Sequence, residues 1–480
     1  MQFSYLLLIS LLLVSTTAAD SLPSFPHALT VSAILPTEER ADLLLESFRE
    51  KTKVAGVSVS VSRDGNFLYS KGFGYANVEQ EIDMEPSSQI RTASVAKVIT
   101  ATALGKLATD GLLDFDQPLG HYIAYLKEPF ATLTARQIAG HTAGIPHRPH
   151  TTQATKKHYE TVGETLSLFE DTKLLFVPDT AYEYSTLGYN LLAILIEEIT
   201  GSRYEDYLKQ EVFIPLNMLQ TFPENIQNLH PENARSYFIK KGKLRWDKNL
   251  TDGSYKLAGA GFRSTSSDLT KMMSAYHNGF LSEEVVEAMF TTNTLTNGEQ
   301  TQVGIAWRLS KDFRGRSTVE HAGAWQGART VHLHYPKEQL TISIMINTKC
   351  TIFIEETAHA IAQLFLEEGR PLREIAETNV VVKAVNHRSD GEDEYFTGRL
   401  ILHPNQRGEL QLGTDRSWLH RNEIFCLSSS NDFVLSTSYG LLYLEMERSP
   451  KLTGRLFLYQ AIKDAHHTSG KPMLSFEETN

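Results

Sequence analysis

The sequence predicts an α+β fold in which an antiparallel sheet and a helical region form one large domain, with a small all-β domain following it. Three observations predict this. Two hairpin-like pairs of β-type runs, at residues 54–75 and 319–347, flank a long middle part of the chain. Residues 94–217 between them are mainly helical and loop-rich in pattern. Beyond residue 395 only short β-type runs remain.

Composition limits the class of protein. The chain has 480 residues, of which 41% are hydrophobic and 21% charged, and its formal net charge is -11. It is long enough for a large core and for more than one domain, and its composition is that of an ordinary globular protein. Because no Lys/Arg run could neutralise phosphates, the sequence argues against a nucleic-acid binder.

The N-terminus has the pattern of a secretory signal peptide. Residues 6–14 are apolar but too few to span a bilayer, and the small residues 15–19 follow them. We therefore predict a signal peptide at residues 1–19 and a secreted or periplasmic mature protein without a stable membrane span. Because no Lys or Arg precedes the apolar run, an uncleaved N-terminal anchor is the alternative.

Two cysteines, Cys350 and Cys426, lie far apart in the sequence. In an oxidising compartment they could form one disulfide between domains, or remain two buried free thiols. The sequence leaves both possibilities open.

The first elements in chain order are a helix and a hairpin. The pattern predicts a helix over about 38–51, then strands over 54–61 and 67–75. The turn at 63–66 contains Asp-Gly, which favours a tight connection. These two strands should be antiparallel neighbours.

The next stretch contains Ser94 and Lys97, spaced to share one face of a helix. Residues 98–107 continue as a helix, so Ser94 is predicted in its first turn, near the positive end of the helix dipole. A lysine with a pKa lowered by desolvation could take the proton of the serine hydroxyl and make it a nucleophile. The alternative is a serine that caps a helix and a lysine that is solvated.

Histidines cluster after a short helix that Thr134 should cap and Gly140 should end. Their spacing matches no metal-ligand pattern, and no cysteine accompanies them. We therefore predict neither a metal nor an organic cofactor. The histidines of this cluster are His141, His147, His150 and His158.

Tyr184 lies in the loop that leads into a helix at residues 190–199. Its phenol could point into a cleft, where a nearby lysine ammonium would favour the phenolate. Tyr184 could then exchange a proton with Ser94. Alternatively it is one more half-buried aromatic residue.

The third informative stretch follows the glycine-rich residues 257–268, where Ser267 or Asp268 is predicted to cap the next helix. Residues 319–347 read as strands with a turn, which makes His321–Gly323 part of an edge strand. A backbone N–H just after Gly323 could face Ser94, and the glycine would let a substrate lie close to the strand.

These three stretches, in this order, resemble the serine β-lactamase and penicillin-binding-protein superfamily. The similarity is to its class C-like branch, which includes D-alanyl-D-alanine carboxypeptidases, esterases and a mitochondrial β-lactamase-like protein. It covers residues 35–368 and implies the β-lactamase/DD-peptidase fold, an antiparallel sheet flanked by helices plus a helical subdomain.

The resemblance also implies roles for individual residues. Ser94 would be the acylated nucleophile, Lys97 its proton partner and Tyr184 the general base or acid. The oxyanion hole would come from the N–H groups of Ser94 and Ala324. The substrate-binding positions would be Thr186 and the strand residues His321, Ala322 and Gly323.

Two of these positions depart from the pattern of the family. Thr186 stands where β-lactamases of this branch carry Asn, and His321 replaces a strand lysine. Thr offers only a short hydroxyl, and His attracts a carboxylate less constantly than Lys does. Peptidase or esterase activity is therefore favoured over β-lactamase activity.

The C-terminal region differs from the rest of the chain. We predict the hydrolase domain at residues 20–375, a polar linker at 376–394 and a small β sandwich or barrel at 395–480. Its role and the oligomeric state are not indicated.

The function predicted is that of a serine hydrolase that forms an acyl-enzyme on an amide or ester bond of a small molecule or peptide. The first alternative is a true β-lactamase or a D-alanyl-D-alanine carboxypeptidase. The second is a non-catalytic relative whose cleft binds a peptide or a cell-wall fragment.

Overall fold

The fold was analysed in a computed structural model, which describes residues 35–479 except 151–155, 229–232, 313, 368–377, 387–393, 403–406, 413–420, 427–431, 449–450 and 458–473. The signal peptide predicted at residues 1–19 lies outside the described residues and stays a prediction. So does the domain boundary predicted near residue 375. Among the helices of the described residues, none has the length and apolar character needed to cross a membrane.

The helices of the described residues are mostly short and lie before residue 367. The α-helices are α1 (Thr37–Thr52), α2 (Ala96–Thr109), α3 (Ala135–Ala139), α4 (Tyr189–Thr200), α5 (Tyr204–Tyr207), α6 (Leu257–Ala260), α7 (Ser266–Met272), α8 (Glu283–Met289) and α9 (Ile354–Leu366). Short 3-10 turns include Ala93–Val95, Leu119–His121, Phe130–Thr132, Gly163–Phe169, Ser254–Lys256 and Met273–Tyr276, and Leu208–Phe213 is a π-helix.

The strands fall into a large sheet, two small sheets and a barrel. In the first 350 residues they are β1 (Gly56–Arg63), β2 (Asn66–Asn77), β3 (Ile82–Asp83), β4 (Ile90–Arg91), β5 (Phe222–Pro223), β6 (Tyr237–Lys240), β7 (Lys243–Trp246), β8 (Phe262–Ser264), β9 (Arg308–Lys311), β10 (Ser317–Trp325), β11 (Ala328–Tyr335), β12 (Leu340–Ile346) and β13 (Thr348–Lys349). The others are β14 (Thr378–Asn386), β15 (Glu394–Leu402), β16 (Arg407–Leu412), β17 (Arg421–Cys426), β18 (Asp432–Thr437), β19 (Gly440–Arg448), β20 (Leu452–Phe457) and β21 (Leu474–Glu478).

The large sheet is formed by strands from both ends of the region before residue 367. Its seven strands have the order β3-β2-β1-β12-β11-β10-β9. The predicted hairpin is confirmed, since β1 and β2 pair antiparallel with Val57 opposite Phe73. On its other side β1 pairs with β12, where Val57 is opposite Ile346. The two hairpins that are distant in sequence therefore form one sheet.

The two faces of this sheet differ in chemistry. Valine and serine alternate along β1, and alternate residues of a strand point to opposite faces. The valines pack in an apolar cluster with α1 and α9. On the other face, Ser58 and Ser60 share hydrogen bonds with Ser266 of α7 at 2.7 and 2.9 Å. These hydroxyls satisfy one another, so the polar face can be buried under α7.

The helical region is built around α2, which is buried on nearly all sides and shares a core with α4. Such a helix needs little amphipathic pattern. Ser94 lies in the 3-10 turn Ala93–Val95 directly before α2, not in the first turn of the helix as predicted. Ala93 has a φ of 47°, a left-handed conformation uncommon for a residue with a side chain. Ser94 therefore lies in this turn and outside α2.

Helix caps test the local sequence predictions. The cap of α3 is confirmed, since Thr134 accepts a hydrogen bond from Gln137 N at 3.2 Å and the Gln137 side chain accepts from Thr134 N. The cap predicted for α7 at Ser267 or Asp268 is wrong. Thr265 caps this helix, accepting from Asp268 N at 3.0 Å, because its backbone is extended and the helix begins one residue later.

The strand that carries His321 is not an edge strand over its whole length. Short β9 pairs with the first part of β10 and ends with Glu320 opposite Arg308. From His321 to Trp325, β10 pairs with β11, and no other described strand pairs with its outer side. The prediction of an edge strand is thus corrected for the start of β10, while the part beyond it has a free edge.

The C-terminal region forms a closed eight-stranded barrel, β14 to β21. The all-β class predicted for this region is confirmed. However, β14 occupies residues that were predicted to be a polar linker, and its Val382 and Ala384 are buried in the apolar cluster of the barrel. Strands β17 and β21 were not predicted either. The barrel interior is filled by an apolar cluster.

The barrel sits on the helices that cover the apolar face of the large sheet. Ser47 of α1 donates to Ser436 of β18 at 2.8 Å. Thr357 of α9 accepts a hydrogen bond from Leu441 N at 3.2 Å. The barrel therefore contacts the hydrolase part on the side of the sheet opposite to α7 and the helical region.

Cys350 is a free cysteine. Burial raises the pKa of its thiol to about 12, so the thiol is uncharged and unreactive at neutral pH. Of the two alternatives for the cysteines, a free thiol at Cys350 is the one observed, and the side chain of Cys426 lies outside the described part of the chain.

Candidate active site

Ser94 lies between α2 and strand β10, and its side chain is partly exposed. A Cβ atom on Gly323 would lie 2.9 Å from Ser94 N and 2.7 Å from Thr92 O. Any larger residue would push the strand away, so the glycine is what allows this close approach. The backbone of β10 and that of Ser94 thus form two sides of one cleft.

Lys97 is fully buried, one turn further along the chain. Its Nζ donates to Thr186 Oγ1 at 3.0 Å and to Gly259 O at 2.9 Å. Burial, and then the charge of Arg308, hold the pKa of Lys97 well below its ordinary value. The alternative of a solvated lysine is excluded, and the amine form is favoured.

Tyr184 packs against this amine, with Lys97 Nζ 4.8 Å from the centre of its ring. Its Oη is buried and makes no hydrogen bond of good geometry with the described residues. Burial raises the pKa of Tyr184, while Arg308 and the hydroxyls of Ser94 and Thr186 act in the opposite direction. The expectation that a lysine ammonium would favour the phenolate is not met. Because burial dominates for both groups, the phenol keeps its proton.

Two histidines of the predicted cluster hold the loop of Tyr184. The ring of His141 lies 4.4 Å and that of His147 5.4 Å from the ring of Tyr184. Nδ1 of His141 accepts from Ser185 N, and Nδ1 of His147 from Thr186 N, both at 3.2 Å. Burial lowers the pKa of both, that of His147 to about 4.

The sequence analysis did not predict this positioning role, because it considered the histidines only as possible metal ligands. Their signal was the Gly-Ile-Pro turn between them, which folds both rings back toward one loop. Within the described ranges no group of three or more His, Cys, Asp or Glu side chains could hold a metal ion.

His321 is also buried beside Tyr184, with 6.3 Å between the two ring centres. Its Nδ1 donates to Ala322 O at 2.9 Å. Burial, then the charge of Arg308, hold the pKa of His321 well below its ordinary value. It is a neutral imidazole at physiological pH and cannot supply a fixed positive charge to a substrate.

The remaining predicted residues follow the alternation of β10. His321 and Gly323 face the cleft, whereas the side chain of Ala322 packs in the apolar cluster on the other side of the sheet. Ala322 can therefore contribute only its backbone. Ala324 comes next and is exposed, at the free edge of the strand beside Ser94.

Arg308 was missed entirely by sequence reasoning. Its side chain is only 12% exposed, and its nearest carboxylate oxygen, on Glu355, is 3.8 Å away. Its positive charge contributes to the lowered pKa of Lys97 and of His321. A single arginine in a short strand gives no signal, since only the pairing of β9 with β10 brings it here.

The structure thus brings a hydroxyl, a buried amine and a buried phenol together under a free strand edge. The serine can attack a carbonyl carbon, the amine can accept its proton, and strand N–H groups can bind the resulting oxyanion. This arrangement is suited to a hydrolase that works through a serine.

Comparison with known proteins supports this class. A family model described as Beta-lactamase matches residues 41–364, and the chain belongs to the β-lactamase family. It is a serine hydrolase that acts on amide or ester bonds.

Two curated relatives and two solved structures are representative. The mitochondrial serine β-lactamase-like protein LACTB of Homo sapiens is 28% identical over 396 residues, which cover 63% of this chain and 72% of that protein. A penicillin-binding protein of Bacillus subtilis (strain 168) is 27% identical over 321 residues, 63% of this chain and 70% of its own. The octameric penicillin-binding protein homologue from Pyrococcus abyssi superposes with a TM-score of 0.59 at 21% identity, covering 92% of this chain and 99% of that one.

A second solved structure, the D-amino acid amidase from Ochrobactrum anthropi SV3 complexed with L-phenylalanine, has a TM-score of 0.58 at 21% identity. It covers 68% of this chain and 96% of its own. At such identities the structural similarity shows the fold alone.

Proposed function

We propose that the chain is a peptidase- or esterase-type serine hydrolase in which Ser94 is the nucleophile and Lys97 accepts its proton. The observation that supports this most is the state of Lys97. Its Nζ is buried, hydrogen-bonded to two neutral oxygens, and paired with no carboxylate of the described residues. A lysine in such surroundings is an amine at neutral pH and can act as a base.

The reaction follows from these positions. Ser94 Oγ forms a bond to the carbonyl carbon of the substrate while its proton passes to Lys97. The carbonyl oxygen becomes an oxyanion that accepts hydrogen bonds from the N–H groups of Ser94 and Ala324. When the oxyanion collapses, the bond to the leaving group breaks and the leaving group takes up a proton. Water then attacks the acyl-Ser94 ester, releases the acid and restores the serine.

Tyr184 is the group that we assign to the protonation of the leaving group. Its phenol is protonated, and the two imidazoles that border its ring have lowered pKa values and carry no proton to spare. Tyr184 can pass its proton to the leaving group and recover one from Lys97, whose Nζ lies against its ring. Of the base and acid roles left open by the sequence, the acid role suits the raised pKa.

The substrate class is narrowed by Thr186 and His321. Thr186 is engaged with the lysine amine, and His321 is neutral and tied to its own strand. Neither side chain offers a cation or an amide for a compact anionic lactam. The free edge of β10 from His321 to Trp325 offers backbone groups for an extended peptide, or for the acyl chain of an ester.

The test of this proposal is covalent labelling. A fluorophosphonate probe should add one adduct to the intact protein, and peptide mapping should locate it on Ser94. Ser94→Ala should abolish the adduct. Ser87→Ala is the matched control, because Ser87 is an exposed serine that bonds only Glu85 on its own turn, and it should label as the wild type does.

An adduct that survives in Ser94→Ala would refute the nucleophile. A wild type that folds, binds a peptide and takes up no probe would favour the alternative of a non-catalytic binding relative. Efficient hydrolysis of nitrocefin without turnover of esters or peptides would favour the β-lactamase alternative.

We also propose that the mature protein works outside the cytoplasm, as the signal peptide predicted at residues 1–19 implies. The relatives differ in this respect, since they include a bacterial penicillin-binding protein and a protein named as mitochondrial. Sequencing the N-terminus of protein secreted by expressing cells should find a start at residue 19 or 20. Recovery of the chain only from mitochondria would reject secretion.

A further inference from the structure

Two cations lie over one indole ring at the outer end of the cleft. Trp325 is the last residue of β10 and directly follows Ala324. The guanidinium carbon of Arg91 lies 4.0 Å and Lys256 Nζ lies 3.8 Å from the centre of the Trp325 ring. At such distances the ring face attracts and orients each cation.

The position of Lys256 is fixed relative to the candidate base. It ends the 3-10 turn Ser254–Lys256 and directly precedes α6, whose Gly259 O holds the amine of Lys97. A loop just before this turn is tied to the end of β10, since Thr251 N donates to the side chain of Gln326 at 2.7 Å. Lys256 is therefore held in place by the same elements that hold the site.

The charges around Lys256 are unbalanced. Burial is the main cause that lowers the pKa of Lys256, the fixed charges of Arg91 and Arg148 act in the same direction, and the carboxylate of Glu224 opposes them. Glu224 is itself engaged by Arg91 at 2.6 Å and by a second arginine, Arg263, at 2.8 Å. No carboxylate of the described residues pairs with Lys256 Nζ.

A second nearby carboxylate, that of Asp252, is also engaged. It lies 2.7 Å from Nδ1 of His158 and accepts from Ser254 N at 2.7 Å. In a chain of net charge -11, this end of the cleft therefore has a local excess of positive charge. An anion would be attracted to it.

The orientation of the substrate in the cleft determines which part of the substrate contacts Lys256. In the proposed mechanism the leaving group takes its proton from Tyr184, which lies beside His321. The leaving group thus lies toward the His321 end of the exposed strand edge. The acyl part then extends past Ala324 toward Trp325 and Lys256.

We propose that Lys256, seated on Trp325, binds a carboxylate carried on the acyl part of the substrate. The inference rests on the proposed function and names its substrate class, which is esters or amides of acids with a second, ionised carboxyl group. The carboxylate of the substrate would accept charge-assisted hydrogen bonds from the half-buried ammonium of Lys256, in place of the water that burial has removed. The anion site is on the side of the reacting carbonyl opposite to His321.

A matched pair of esters tests the proposal. The mono-p-nitrophenyl ester of glutaric acid carries the carboxylate, and the same ester with a methyl group on the second carboxyl is neutral. We expect the wild type to prefer the anionic ester in kcat/KM. Lys256→Gln should reduce this preference at least tenfold, mainly through the KM of the anionic ester, and Lys256→Arg should retain most of it.

The control is Lys248→Gln, which removes another lysine that lies over an indole, 4.6 Å from the ring of Trp246. This exposed lysine should leave the preference unchanged. A wild type that hydrolyses both esters equally, or a preference that survives in a folded Lys256→Gln, would overturn the anion site while leaving the proposed function intact. Failure of fluorophosphonate labelling at Ser94 together with no turnover of either ester would overturn both.

Discussion

The two ends of the free edge of β10 differ in how they carry charge. At the His321 end, the ionisable groups are buried together and lose their charges, since the pKa of Lys97 and of His321 falls and that of Tyr184 rises. At the Trp325 end, Arg91 and Lys256 lie over an indole without a free carboxylate nearby. The two ends are only four residues apart along the strand, yet one end is suited to moving protons and the other to holding an anion.

The difference in charge between the two ends has a physical reason. Burial lowers the pKa of Lys97 toward the working pH and raises that of Tyr184 away from it, so the amine can accept a proton while the phenol keeps its own. Arg308 reinforces this, because one buried cation near the amine disfavours a second. The anion site proposed at Lys256 lies at the other end of this strand segment, away from these groups.

The largest expected effect comes from removing the proton-transfer groups at the His321 end. Lys97→Met and Tyr184→Phe should each lower turnover of the best substrate by about 10²- to 10⁴-fold, the range typical of lost general acid–base catalysis. The double variant should be scarcely worse than either single one, because both groups serve one proton path. Steady-state kinetics with thermal unfolding as a check on folding measures this.

The matched control is Lys106→Met, on the same helix, where the lysine is paired with Asp110 at the surface. It should keep normal turnover. Near-normal activity of a folded Lys97→Met or Tyr184→Phe would remove that residue from the mechanism, and additive losses would mean that the two act on separate steps.

The next largest effect is expected at Gly323, which lies midway between His321 and Trp325. Gly323→Ala would put a methyl group 2.7 Å from Thr92 O and 2.9 Å from Ser94 N, which are backbone atoms that cannot turn aside. The strand must then move away from Ser94. We expect a loss of about 10²-fold in kcat, as for a lost oxyanion donor.

Gly163→Ala is the control for this change, since the nearest heavy atom to its added Cβ would be 3.8 Å away and the backbone there is not left-handed. Turnover and the rate of fluorophosphonate labelling should fall together in Gly323→Ala and stay normal in Gly163→Ala. Normal labelling of Gly323→Ala would show that Ser94 does not depend on its contact with the strand.

The sequence predicted the groups of the His321 end better than their states. Ser94, Lys97 and Tyr184 could be named because their chemistry depends on local spacing and on the order of three stretches. The sequence could raise a neutral Lys97 only as one of two alternatives, since the outcome depends on burial and on Arg308, which joins the site only through the pairing of β9. The cap of α7 was misassigned by two or three residues because several capping residues stand side by side.

The Trp325 end was not predicted at all. Lys256 and Arg91 are distant in sequence from Trp325 and meet it only through the folding of α6 and β4 around β10. Likewise, β14 lies in a stretch that was predicted as linker, and its pairing with β15 and with β21, which is distant from it in sequence, makes it a strand. Sheet pairing, not local pattern, decides such cases.

A third prediction tests whether the neutral His321 end disfavours lactams. Thr186→Asn should raise the turnover of nitrocefin relative to p-nitrophenyl esters, since an added amide donor would be worth about 1 kcal/mol to a bound carbonyl. Adding His321→Lys should raise the ratio further, but less than a lysine in an open site would, because burial and the charge of Arg308 disfavour a second cation there. The ratio of kcat/KM values measures both.

The comparison uses Thr180→Asn as its control, since Thr180 is an exposed threonine that bonds only Val177 O on the preceding turn. That variant should leave the ratio where it is in the wild type. A wild type that already hydrolyses nitrocefin better than esters and peptides would contradict the argument from Thr186 and His321.

The smallest effect should be a change with pH at the Trp325 end. Burial is the main cause that lowers the pKa of Lys256 to about 7, the charges of Arg91 and Arg148 act in the same direction, and Glu224 acts in the opposite direction. A lysine is charged below its pKa, so Lys256 is an ammonium at pH 6 and mostly an amine at pH 8. The carboxylate of the glutarate ester is ionised at both, since its ordinary pKa is about 4. The preference for the anionic ester should therefore decline severalfold as the pH rises from 6 to 8.

In Lys256→Arg the preference for the anionic ester should stay constant between pH 6 and pH 8, because arginine keeps its charge. If the preference is flat in the wild type, or falls equally in Lys256→Arg, then Lys256 does not set the charge of this end of the cleft.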